Sequence, residues 1–398
     1  MLFGRFSQRR IFMDYAAGTE PNPSSIHADG VTLRREFENA RKKLAKALAT
    51  QANELIFTSG GTEANNLAIL GTFRTAKKKI NKPHIITSNI EHASVLEAVK
   101  QAEREGAEVS YLPVREDGIV DISKLESLIK AETVLVSLMH ANNETGTLQP
   151  VREVGIIVKK LKVAVPAGRQ ESRKEYPYFH TDASQTAGHR SIEPHAFFAD
   201  LLTISGHKVY GPKGTGLLFV KNGTDIEPLF FGGGQERGLR PGTENVEGQI
   251  KFAEAFLEVQ KNRQEESKRL EEVRHFFLKE LSTQGGLVYN GSKGHQLPNI
   301  VNVSFMSIES DRMVLELDAK GIAVSAGSAC HARLPAPGRS NGGQAGNSAF
   351  SQVIANMKGE GVAKHAIRFS LGRNTDKKNV NIVVSEISAI LAANGRTQ

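Results

Sequence analysis

The chain reads as an α/β protein: a large domain with a mostly parallel, seven-stranded sheet flanked by helices, then a smaller α+β domain at the C-terminal end. Three observations predict this. The strand candidates are continuous apolar runs rather than alternating ones, as expected for strands buried on both faces. Helical stretches with apolar spacing near 3.6 lie between several of them. One long, charged helical stretch, from about Glu247 to Leu281, then divides the chain, and we expect a large domain over 12–250 and a small one over 251–398.

In order, Leu33, Phe37, Leu44 and Leu48 recur at helical spacing and predict an amphipathic helix over Val31–Ala49. Leu55–Thr58 is a short apolar run stopped by Ser59-Gly60-Gly61, and Thr62 opens a helix, giving strand, glycine turn, helix. Further strands are expected at His84–Thr87, Glu108–Leu112, Val134–Met139, Tyr178–His180, Leu201–Ile204 and Gly216–Val220, with helices at Ser94–Arg104 and Ile122–Lys130. A polar insertion, Ala164–Tyr178, precedes one strand. Beyond the long helix, Ile300–Phe305, Asp311–Asp318, Ile322–Ser325, Ile367–Ser370 and a helix over Asn379–Ala392 make up the small domain. The Pro, Gly, Arg, Asn and Ser of Arg333–Gln344 read as a flexible loop directly after Cys330.

Composition narrows the function. With 39% hydrophobic and 24% charged residues, the 398-residue chain is of ordinary globular character, and no stretch has the apolar length of a membrane span. Basic residues in Met1–Arg10 are followed by no apolar core of a signal peptide, so a cytoplasmic location is expected. The net charge of +8 is spread over short runs such as Lys77-Lys78-Lys79, so direct nucleic-acid binding is not expected. The single cysteine, Cys330, excludes an internal disulfide and a cysteine-cluster metal site, and no metal is expected.

Several residues could carry chemistry. Lys208 closes Ser205-Gly206-His207-Lys208 at the end of one apolar run, and Asp182 ends the preceding one. A lysine amine and a carboxylate are what pyridoxal 5'-phosphate (PLP) needs, the first for a Schiff base, the second to keep the pyridine nitrogen protonated. Each also has a plainer reading, as a solvated strand end and a helix cap. Gly61 and Thr62, at a helix start, offer N–H and hydroxyl groups to a phosphate, and equally a turn and a cap. Ser205 and His207 could reach the same phosphate, and Gln185 a ring oxygen. His92 stands at a strand-to-helix turn, where it could stack on a ring and exchange protons, or simply cap the helix. In the polar loop His140–Gly146, Asn142 reads as a turn former and Asn143 as the residue offered to substrate or ring.

Together, Thr58–Asn66, Glu91-His92, His140–Gly146, His180–Gln185, Ser205–Gly214, Arg240–Thr243, Ser325–Cys330 and Ile367–Arg373 resemble the cysteine desulfurases of the NifS and IscS type, in order and over most of the chain. The resemblance implies a fold-type I PLP enzyme, a homodimer, that converts L-cysteine to L-alanine and leaves the sulfur as a persulfide on Cys330. It implies Lys208 as the Schiff-base lysine, Asp182 on the pyridine nitrogen, Gln185 on the ring oxygen, and Thr62, Ser205 and His207 on the phosphate. Thr243 would reach the phosphate of the other subunit, His92 would stack on the ring, and Arg368 with Asn143 would bind the substrate carboxylate. A sulfur-acceptor protein, an iron–sulfur scaffold or a tRNA-thiolation protein, is the implied partner. A selenocysteine lyase or an aminotransferase shares much of this pattern, but an aminotransferase has no use for the thiol of Cys330. A non-catalytic scaffold would not need Lys208, Asp182 and Cys330 intact. Two stretches depart from the family: Pro21–His27 follows Asp14–Thr19 almost at once, and the loop after Cys330 is longer and lacks the usual Leu-Glu-Pro-Ser.

Overall fold

The computed structural model describes residues 11–164, 176–327 and 350–395. Cys330 and the loop after it, most of the 164–178 insertion and the basic N-terminal residues lie outside the described residues. The large sheet contains β1 (Leu55–Thr58), β2 (His84–Ser88), β3 (Glu108–Leu112), β4 (Thr133–Ser137), β5 (Tyr178–Asp182), β6 (Leu201–Ser205) and β7 (Gly216–Val220). Their order is β1-β7-β6-β5-β4-β2-β3. β3, β2, β4, β5 and β6 pair in parallel, while β7 is antiparallel to both β6 and β1. Six strands therefore run one way, and their carboxyl ends share one edge of the sheet.

Each face is covered, which accounts for the unbroken apolar strands. On one face α2 (Gly61–Lys77) and α3 (Ala93–Arg104) bury Leu67, Leu70, Phe73, Val95 and Val99 against Ile56, Ile85 and Leu218. On the other, α1 (Ala28–Ala47) and the first half of α6 (Val246–Leu281) enclose Phe57, Leu202, Leu217 and Phe219. The same face is continued by α5 (Val151–Ala164), whose Val151, Val154 and Val158 cover Ile86, Val136 and Phe179. β1 shows the alternation directly, since Leu55 and Phe57 point to the α1 side and Ile56 to the α2 side. Helix starts follow local chemistry: His27 caps α1 through the Gly30 amide, and Asn245 caps α6 through Gly248.

Helix α6 is shared. Phe252, Phe256 and Val259 belong to the large core, while Leu270, Val273, Phe277 and Leu281 pack on a second, antiparallel sheet of order β10-β9-β8. That sheet is β8 (Leu287–Tyr289), β9 (Ile300–Phe305) and β10 (Ala366–Ser370), covered also by α7 (Ser310–Asp318) and α10 (Lys377–Gly395). Two short helices, α8 (Gln352–Lys358) and α9 (Glu360–Ala363), lead into β10.

Some expectations change in detail. Ile122–Lys130 is a single 3₁₀ turn followed by α4 (Leu125–Leu128), and Ile322–Ser325 forms only a bridge between Ser325 and Arg368. Helix α5, strand β8 and helices α8 and α9 were not anticipated. Among the described residues, no helix is long and apolar enough to cross a membrane.

Candidate active site

Topology sets the site at the shared carboxyl edge, where ligands of open α/β sheets bind. The turn after β1 is drawn over β7 and β6. Thr58 and Ser205 both register with Gly216, and a Cβ on Gly216 would lie 2.8 Å from Gly60 Cα, so only glycine permits this approach. Gly60 has φ of 151°, and α2 begins directly after it at Gly61.

The result is a cradle at a helix N-terminus. A Cβ added to Gly61 would lie 3.4 Å from Ser184 Oγ and 3.3 and 3.7 Å from Ser205 Cβ and Oγ. Ser184 Oγ is buried without a hydrogen-bond partner, and Ser205 Oγ meets His207 Nδ1 at 3.0 Å. Two serine hydroxyls, unpaired first-turn amides and the positive end of the helix dipole converge on one small volume, an arrangement that suits a phosphate. Thr62 is exposed at the second residue of α2.

Beside the cradle, Asp182 ends β5. Its Oδ1 accepts the Ser184 amide at 2.9 Å, and its Oδ2 accepts Asn65 Nδ2 at 2.8 Å. Two donors fix the plane of the carboxylate. One residue pair away, His180 is fully buried between Ser137 Oγ (2.8 Å) and Thr203 Oγ1 (3.1 Å), and burial holds its pKa down to about 4. A neutral His180 puts no positive charge beside Asp182. Gln185 lies half-buried in the turn that follows.

Lys208 stands on the 3₁₀ turn Gly206–Val209, which β7 locks through the Gly206 amide to Thr215 O at 2.9 Å. Burial, then the charges of Lys208 and Lys213 and the proximity of His92, lower the pKa of His207. His92 and His207 thus lie within electrostatic reach. His92 is the N-cap of α3, its Nδ1 accepting the Ser94 amide at 3.1 Å. Its immediate neighbour Glu91 is buried, accepts from Ser88 Oγ at 2.7 Å and the Met139 amide at 3.0 Å, and is pushed up to about 8 by burial.

The small domain supplies the opposite wall. Arg368, on β10, donates from Nη1 to Asn143 O at 3.1 Å and from Nη2 to Ser325 Oγ at 3.2 Å. Asn142 is consumed by its turn, donating to Ile90 O and accepting the Glu144 and Thr145 amides, while Asn143 remains half-buried beside the arginine. Thr243 is exposed on the loop between Arg240 and α6, and among the described residues no hydrogen bond draws it to the cradle. Asn65, Ser94, Ser184 and Glu91 were not anticipated as site residues. The signal for Asn65 was a polar residue within the Ala64–Ala68 stripe of α2.

Residues 10–383 match the family model described as aminotransferase class-V. The chain is 39% identical to the cysteine desulfurase IscS of Dictyoglomus turgidum over 96% of this chain and 95% of that one. It is 36% identical to the mitochondrial cysteine desulfurase of Saccharomyces cerevisiae, over 96% of this chain and 75% of that protein. A solved NifS-like protein superposes with a TM-score of 0.81 at 34% identity, over 93% of this chain and 91% of the other. The chain belongs to the class-V aminotransferase family, whose members use PLP. Within that family it groups with the cysteine desulfurases.

Proposed function

We propose that this chain is a PLP-dependent cysteine desulfurase that converts L-cysteine to L-alanine and passes the sulfur through a Cys330 persulfide towards iron–sulfur cluster assembly. The observation that carries the site assignment is the Gly61 cradle, with the orphaned Ser184 hydroxyl inside it and the doubly held Asp182 carboxylate beside it. Those residues fit PLP. Gly61, Thr62, Ser205 and His207 would hold the phosphate, Asp182 the pyridinium and Gln185 the phenolic oxygen, with His92 against the ring and Lys208 as the covalent attachment. When bound, PLP supplies an electron sink for a substrate carbanion.

The chain's own groups do the rest. Arg368, planar and held by Asn143 O and Ser325 Oγ, presents a fork to the substrate carboxylate. Lys208 would hold the cofactor, and its Nζ would take the proton from the substrate Cα. The Cys330 thiolate then attacks the substrate sulfur; an S–S bond forms as the C–S bond breaks, and the bonding pair leaves with carbon. Protonation of that carbon and return of the proton to Cα by Lys208 give alanine, and His92 Nε2 would move the thiol proton. A thiol reductant or an acceptor protein removes the outer sulfur.

We further infer a homodimer, in which Thr243 reaches the partner's phosphate. The exposed loop of Thr243 and the apolar Phe230 and Phe231 ahead of it, 58% and 88% exposed, support this. The same reading places the reaction in the reducing cytoplasm, where a lone thiol stays available. tRNA thiolation is a second use of the same persulfide.

The test is stoichiometric. PLP-loaded protein given L-cysteine and a reductant is expected to release alanine and sulfide in equal amounts, and Cys330→Ser is expected to release neither while still binding the cofactor. Alanine without sulfide, or full activity in the variant, contradicts the proposal.

A further inference from the structure

Asn65 is completely buried on the first turns of α2, and both hydrogens of its amide are used. One goes to Asp182 Oδ2 at 2.8 Å and the other to Ser94 Oγ at 2.8 Å, leaving Oδ1 buried without a partner. A native buried acceptor left unsatisfied calls for a reason. Here both donors are engaged elsewhere, and the opposite amide orientation would set Oδ1 against a carboxylate.

From Ser94 the chain of bonds continues to His92. Ser94 Oγ lies 2.8 Å from His92 Nδ1, and the Ser94 backbone amide donates to the same nitrogen at 3.1 Å. An atom that accepts a backbone N–H carries no proton of its own. The Ser94 hydroxyl, already receiving the Asn65 amide, therefore points its proton at Nδ1, and the proton of the neutral imidazole sits on Nε2.

We propose that Asn65 is a positioning residue that joins two parts of the site, orienting Asp182 directly and fixing the tautomer of His92 through Ser94. The inference rests on the reading that Asp182 and His92 face the cofactor. It adds that every proton His92 gains or loses passes through Nε2, because Nδ1 is committed to the helix cap. It also adds that a change in the Asp182 carboxylate is felt at His92 through three hydrogen bonds, Asp182 to Asn65, Asn65 to Ser94 and Ser94 to His92.

The experiment uses full-length protein labelled with ¹⁵N at histidine, with His92 assigned from the spectrum of His92→Gln. Imidazole nitrogen resonances are recorded without cofactor for wild type, Asn65→Leu and Ser94→Ala, and PLP affinity is measured for each by absorbance titration. Wild type is expected to show an unprotonated Nδ1. Asn65→Leu, similar in volume but without donors, is expected to shift the His92 nitrogens and to weaken PLP binding about 10-fold, the loss of one hydrogen bond to a charged group. Ser94→Ala, which keeps the Asn65–Asp182 bond, is expected to shift His92 comparably and to weaken PLP binding less than Asn65→Leu does. A merely structural role would lower the melting temperature of both variants and leave the His92 resonances in place, which overturns the proposal. So does a wild-type His92 protonated on Nδ1. If Asn65→Leu does not fold, the Ser94→Ala spectrum decides. If wild type binds no PLP, the reading of the site fails, and the histidine resonances still decide the relay.

Discussion

Arg368 shows what one side chain contributes. Its two terminal nitrogens are aligned by Asn143 O and Ser325 Oγ, and its backbone is clamped to Ser325 in both directions. A planar fork so held matches a carboxylate bidentately, which an ammonium on a flexible stem does not. Arg368→Lys is therefore expected to raise the KM for cysteine about 10- to 100-fold with a much smaller change in kcat and unchanged PLP absorbance. An unchanged KM would remove Arg368 from the substrate site. At this scale the sequence is readable where a polar residue closes or follows an apolar run, as for Asp182, Ser205 and Lys208, which the fold brings to the carboxyl edge of the sheet. For Asn65 the polar break in the Ala64–Ala68 stripe is ambiguous, because its neighbour Asn66 is an equally polar residue, which bonds Thr62 O of its own helix. Tertiary packing, not local pattern, selects which asparagine faces Asp182.

Among the elements, α1 matters through one buried contact. Arg41 Nη1 and Nη2 meet Glu236 Oε2 and Oε1 at 2.8 and 2.6 Å, Glu236 also accepts the Phe57 amide at 2.7 Å, and the guanidinium lies 4.5 Å from the Phe57 ring centre. Helix α1, strand β1 and the loop leading to Thr243 are thus tied at a single point. The loop needs it, because Glu236 and Arg237 both adopt positive φ, at 47° and 60°, which non-glycine residues resist. Arg41→Ala leaves a buried carboxylate unpaired and is expected to cost on the order of 3–5 kcal/mol, read as a lower denaturation midpoint; Arg41→Met combined with Glu236→Gln is expected to recover much of that. Equal losses in both would show that the charge pair is not the tie. Strands such as β1 and β7 are legible because each is an apolar run bounded by turn residues. Helix α5 is hidden by its valines, isoleucines and Gly155, which read equally well as strand, and β8 by its three half-buried residues. Helix α6 passes from one core to the other without a break, so composition alone cannot mark where the large domain ends.

Across the whole molecule, buried ionisable groups shape the dependence of stability on pH. His140 and His180 are enclosed, and burial holds both down to about 4, against an unfolded value near 6.5. Between those values the unfolded chain binds more protons, so their contribution is complete above about pH 6.5 and is lost as the pH falls towards 4. Glu91 acts in the opposite sense. Its folded value of about 8 exceeds the ordinary 4.5, so the folded chain holds the extra proton, and that contribution is complete below 4.5 and lost as the pH rises through 8. These histidines, with His189 likewise held down to about 4 by burial, outweigh the one carboxyl below 6.5, and of these groups only the carboxyl acts above it. The melting temperature is thus expected to rise with pH to about 6.5 and then to decline towards 8. Glu91→Gln, which keeps the neutral shape and cannot ionise, is expected to abolish the decline and leave the acid limb intact. A melting temperature that falls equally between pH 6.5 and 8 in Glu91→Gln would place the alkaline sensitivity elsewhere, and would mean that Glu91 already carries its charge beside Asp182 at neutral pH.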